Sequence, residues 1–284
     1  MSTAMEARPA GAGAGPVSRP AYKVTGRRVL RSEWAKLWTL RSTWITLALG
    51  LAGLLVFGSI AAVRYKSLTT SGGTRPGSGE FVNASAVTLT LFGVRFGQLA
   101  LGVLGVLVAA GEYSTGMIRS TLAAVPRRLP VLWSKAAVYG VVAFVVGVAG
   151  AFGGFLIVNA VVNGTPAHMP LSDGGVARSL LGAGLYLSLV GVIGTALGML
   201  MRSVPGAISV LVATLLLVPG LLSLLPTSWQ DNIGPYLPSN AAEALYALQH
   251  APGMLSAGTG ALVLLGWTVL ALAGGAYRLV RRDA

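Results

Sequence analysis

LALGVLGVLVAAGEYSTGMIRSTLAAVPRRLPVLWSKAAVYGVVAFVVGVAGAFGGFLIV, residues 99–158, changes texture twice, and those changes decide the fold. Residues 99–110 and 136–158 carry no charge. A bilayer core needs about 20 apolar residues at ~1.5 Å rise each, which the second of these runs supplies alone. Between them stand an acid, a tyrosine, several hydroxyls, three arginines and a lysine. The pattern is two membrane-spanning helices joined by a polar connection.

The rest of the chain extends this pattern. Its 284 residues are 54% hydrophobic and 10% charged, with a mean hydropathy of +0.72. A soluble domain carries roughly a quarter charged residues, so these values predict an all-α polytopic membrane protein. Six spans are expected, at residues 44–63, 88–110, 136–158, 179–201, 207–225 and 258–277. Arg95 interrupts the second and Pro219 lies near the end of the fifth. Residues 1–26, rich in Ala, Gly and Pro, lack an apolar signal region and are expected to form a disordered cytoplasmic tail before a transmembrane domain at 27–284. The absence of cysteine excludes disulfides and thiolate metal sites. The net charge of +13 does not point to nucleic acid, because the basic residues bracket apolar runs.

Those basic residues predict the orientation. With the N-terminus inside, the cytoplasmic segments hold sixteen Lys and Arg and the outer ones four, Arg64, Lys66, Arg75 and Arg178. The acids divide evenly, so the bias lies in the cations, as the positive-inside rule requires. A multi-pass plasma-membrane protein with both termini cytoplasmic is expected, and residues 111–135 then face the cytoplasm. Two G-x-x-x-G matches, Gly93 to Gly97 and Gly194 to Gly198, mark places where helices can approach closely, including a face for a second copy.

Three further stretches carry site expectations. In residues 27–47, Leu30, Trp34, Leu37 and Trp38 share one helical face. Arg28, Arg31, Ser32, Lys36 and Thr39 share the other, with Glu33 able to pair with Lys36. This describes a helix lying among lipid headgroups; the bland alternative is a basic flank orienting the first span. In the connection, residues 116–124 are expected to form a short helix with Thr115 or Ser114 as N-cap. Pro126 would end it and Pro130 would enter the next span's first turn. Met117, Ile118 and Leu122 give that helix an apolar side. Between the last spans, residues 238–249 are amphipathic, with Asn240 or Ser239 as N-cap and Glu243 completing a capping box. Arg95 reads either as a functional charge inside the membrane or as a cation snorkelling to the headgroups. His168 and His250 stand far from any acid at metal-ligand spacing, and the sequons at Asn83 and Asn163 are short matches only.

SEWAKLWTLRSTW (residues 32–44) before the first span, GEYSTGMIRSTLAAVPRR (residues 111–128) after the second, and YLPSNAAEAL (residues 236–245) together resemble the permease subunits of ABC-2 type ATP-binding-cassette exporters, in an actinobacterial-looking group. The likeness covers residues 28–284. It implies that the amphipathic helix, with Glu33, Trp34, Lys36 and Trp38, and the connection, with Glu112, Tyr113, Ser114, Thr115, Gly116, Met117 and Ile118, form the docking surface for a separate cytoplasmic ATPase. It also implies a second permease as homodimer or heterodimer partner, contact with membrane lipid, and a re-entrant placement for residues 236–249. ATP and magnesium would belong to the partner ATPase.

The sequence agrees in one negative respect. It contains no G-x-x-x-x-G-K-[ST] motif, so the chain lacks that means of binding ATP and is expected to be a transport subunit, not an enzyme. The competing class is a secondary, ion-coupled carrier, which usually has acids near the membrane midplane; none occurs here. An intramembrane enzyme would need clustered His, Asp or Glu on the spans, and these are absent too.

Overall fold

A computed structural model describes residues 25–70, 84–125 and 128–281. Most of the expected tail, the sequon residue Asn83 and the helix-ending Pro126 therefore lie outside the described residues. Of the described residues 83% are helical, and no strand occurs among them. In order, α1 (Gly26–Thr39) leads into α2 (Arg41–Thr70), then α3 (Ala86–Leu91), α4 (Val94–Ser114) and the short α5 (Met117–Ala124). After them come α6 (Leu129–Val161), α7 (Val176–Met201), α8 (Val204–Val212) and α9 (Val218–Leu222). The chain closes with α10 (Thr227–Ile233), α11 (Pro238–Tyr246) and α12 (Ala257–Arg281).

Six helical segments are long and apolar enough to cross a membrane: α2, α3 with α4, α6, α7, α8 to α9, and α12. Each of the first three begins or ends beyond its expected bounds, because the helix continues into the polar border once its backbone bonds are made. Thus α2 runs past Arg64 and Lys66, and Lys66 Nζ donates to the Val161 carbonyl at 2.8 Å. Two spans are irregular. The second breaks at Phe92 and Gly93, and the fifth contains a π-helical turn at Ala213–Leu217 followed by Pro219. Pro130 stands in the first turn of α6, as expected.

The core lies along α7, which packs on α4, α6 and α12. Small residues allow the closest crossing. A Cβ on Gly105 would overlap the Gly191 carbonyl of α7, and one on Gly194 would overlap the Gly102 carbonyl of α4. Such close backbone contact takes the place of the hydrophobic effect, which is weak between helices in lipid. Both G-x-x-x-G matches are used within the chain: Gly93 and Gly97 face Leu54 of α2, and Gly194 and Gly198 face α4. They are seams of this fold. Around the core, α2 packs on α4 and α6, α11 packs on α7 and α12, and α1 lies against α6.

Candidate functional site

Four charged side chains meet where α1, α4 and α6 come together. Lys135 of α6 donates to Glu33 Oε2 at 2.6 Å and to Glu112 Oε1 at 2.8 Å. Lys36 of α1 donates to Glu33 Oε1 at 2.7 Å, to Glu112 Oε1 at 2.9 Å, and to Thr121 Oγ1 of α5 at 3.3 Å. The side chains of Lys135, Glu33 and Glu112 are 2%, 3% and 4% exposed, and that of Lys36 is 26% exposed. Two ammoniums face two carboxylates, so the group is neutral as a whole. A single buried charge would cost several kcal/mol, and matched opposite charges offset that. Burial works against the Lys36 charge, but the hydrogen bonds and charges of Glu33 and Glu112 outweigh it and hold its pKa above the ordinary lysine value. Glu112 Oε2 is buried without a hydrogen-bond partner.

Local sequence explains how each member arrives. On α1, Val29, Glu33 and Leu37 recur every four residues and form the buried stripe. The i, i+3 pairing of Glu33 with Lys36 is therefore made as the spacing predicted. Leu30, Trp34 and Trp38 are exposed, and Trp38 packs against Trp34 and Trp44 at centroid distances of 5.3 and 4.5 Å. The tryptophans thus share a face apart from Leu37, which turns to the bundle with Glu33. Residue 112 falls on the buried side of α4 with Ala109, and Lys135 on the buried side of α6 with Leu132 and Ala136.

The docking candidates divide. Glu112 is buried and finds its cations within its own chain. Its carboxylate does not reach outward, because α4 continues to Ser114 and turns it under α1. Tyr113 is half-buried and faces the end of α7, with the Arg202 guanidinium 5.2 Å from its ring centroid and Met199 Sδ 3.7 Å from its hydroxyl. Ser114 and Thr115 do not cap α5; both hydroxyls turn back to the Gly111 carbonyl at 2.9 Å. Gly116 takes the capping position instead, at a φ of +72° that glycine adopts without strain. Ile118 is buried, whereas Ser114, Thr115, Gly116 and Met117 are exposed. Leu122 and Val125 pack with Tyr113 against the cluster around Met199 and Leu272.

At the other end of α4, Arg95 is exposed, with its guanidinium 5.6 Å from the Phe92 ring centroid, and it lines a cleft with residues of α7 and α11. On α11 the expected capping box is not formed. The helix starts at Pro238 with no side-chain cap, Asn240 donates to the Gly234 carbonyl at 2.9 Å, and Glu243 lines the cleft. Sequence reasoning missed Lys135, which read only as a topology-setting cation. Two of the chain's eight acids standing at membrane borders was the available signal that a buried cation joins them. No group of three or more His, Asp or Glu side chains able to hold a metal ion occurs among the described residues. The tetrad is a junction whose groups hold one another. No protein-family model matches this chain, and no curated protein matches it.

Proposed function

We propose that this multi-pass membrane protein is the transmembrane permease subunit of an ABC exporter, driven by a separate cytoplasmic ATPase. The observation that carries this reading is the buried tetrad. It ties α1 to the ends of α4 and α6, and through Thr121 it reaches α5, whose Met117, Arg119 and Ser120 remain exposed. A docked motor needs such a surface: a short helix whose outer side is free and whose inner side is fixed to the spans it must move. The Lys and Arg bias supports a cytoplasmic position for this end of the bundle. The sequence likeness to ABC-2 permeases points to the same end of the molecule, and the missing phosphate-binding motif supports a reading in which a separate chain would supply ATP hydrolysis.

The test uses the tagged full chain purified in mild detergent from its native membrane. An ATPase with a phosphate-binding loop should co-purify, and Ser120→Cys in this cysteine-free chain should cross-link to it, whereas His168→Cys should not. If the chain purifies alone and moves its substrate on an ion gradient in proteoliposomes without ATP, the ion-coupled carrier takes the place of this reading.

A further inference from the structure

A groove of about 380 Å³ runs between α1, α2 and α6, outside the tetrad. Trp34 and Trp38 of α1, Trp44 and Leu51 of α2, and Val141 and Val146 of α6 bound it, and every lining side chain is apolar. Its tryptophan wall is built in advance. The Trp44 indole N–H donates to the Trp38 carbonyl at 3.2 Å, and the Trp38 ring packs against those of Trp34 and Trp44. All three rings, with Val141 and Val145, remain exposed, so the groove opens away from the bundle.

Depth narrows the choice of occupant. Tryptophans collect at the level of lipid headgroups. Val141 to Val146 follow the buried Lys135 by six to eleven residues, about 9–16 Å along α6. The groove therefore runs from the membrane border to about the middle of a ~30 Å hydrocarbon core, one leaflet deep. That is the reach of an acyl chain. A span of a second copy would cross both leaflets and needs a trough for a body about 10–12 Å across. An extended peptide would leave its backbone groups without partners against apolar walls.

Charge narrows the choice of head. Arg31 stands at i, i+3 from Trp34, and Arg41 at i, i+3 from Trp44, so each helix sets an exposed cation one turn from a groove tryptophan. Arg31 thus borders the tryptophan face as well as the polar one. The one acid of residues 25–47, Glu33, is turned inward to Lys36 and Lys135.

We propose that this groove is a specific site for an anionic phospholipid, one acyl chain lying along the tryptophans and valines and the phosphate head resting on Arg31 and Arg41. A zwitterionic head would bring a cation of its own to the same two arginines. The site depends on the spans alone and on no ATPase.

The test is native mass spectrometry of the full chain, purified in detergent, stripped of lipid and titrated with dioleoyl phosphatidylglycerol or dioleoyl phosphatidylcholine. The first phosphatidylglycerol should bind more tightly than the first phosphatidylcholine. Arg31→Gln and Arg41→Gln should each lower that preference about fivefold, the worth of one cation at an anionic lipid surface. Arg31→Lys should keep it, and so should Arg119→Gln, which removes an exposed cation of α5. Val145→Trp, which fills the groove, should weaken both lipids, whereas Leu262→Trp on the exposed side of α12 should weaken neither. Equal affinity for the two lipids in the unmodified chain would overturn the proposal, as would a preference that survives both Gln variants or binding that Val145→Trp leaves unchanged. Loss of an oligomer in Val145→Trp would overturn it too, by giving the groove to a second copy. Every substituted side chain is exposed, so the variants should melt with the unmodified chain, and Val145→Trp alone suffices should an arginine variant not fold.

Discussion

Deleting the Glu112 carboxylate leaves Lys135 and Lys36 to share Glu33 in a region where Lys135 is 2% exposed. One ammonium is then buried without a matching charge, and breaking a buried pair in this way costs about 3–5 kcal/mol. Glu112→Ala should therefore lower the melting temperature in detergent, and the loss should be visible in the isolated chain with no partner present. Glu112→Leu combined with Lys135→Leu keeps the remaining Glu33 and Lys36 balanced, and its penalty should fall well short of the two single penalties added. Unaltered melting of Glu112→Ala would show that the tetrad does not hold this junction. The sequence made Glu112 conspicuous as a lone acid in a basic connection. Its partners come from residues 23 and 76 positions away, and no local pattern reveals such pairs.

At the scale of elements, α4 and α7 depend on backbone contact that only glycine permits. Gly105→Ala drives a methyl group into the Gly191 carbonyl, and overpacking of this kind typically costs about 1–3 kcal/mol. Gly266 of α12 has open space around its Cα, so Gly266→Ala should be neutral or slightly stabilising. Thermal melting followed by size-exclusion chromatography separates the two; equal behaviour would place the close crossing elsewhere. Periodicity gave the existence of these helices, but the end of each was set by contacts. Thus α4 runs to Ser114, with Glu112 anchored beneath α1, and α5 starts directly after Gly116 because glycine alone takes that φ at no cost.

For the whole molecule, six crossings place both ends of the described chain on one side, with Thr70 and His168 together on the other. The Lys and Arg bias predicts which side is which. On intact cells, an impermeant maleimide should label Thr70→Cys and His168→Cys, and should reach Ser120→Cys only after permeabilisation. Labelling of Ser120→Cys from outside would reverse the orientation and remove the α5 surface from any cytoplasmic motor.

By itself the sequence determined the helical class, the number of helices long enough to span and a basic border that predicts their orientation. These depend on the composition of contiguous residues and on the thickness of a bilayer, which are the same wherever a segment packs. Only the tertiary structure decided that Glu33, Lys36, Glu112 and Lys135 form one neutral cluster, and that Arg95 and Glu243 face one cleft. It also decided that the glycine pairs join helices of the same chain. Each of these unites residues far apart in sequence, and burial of a charge or a close backbone crossing depends on which faces meet.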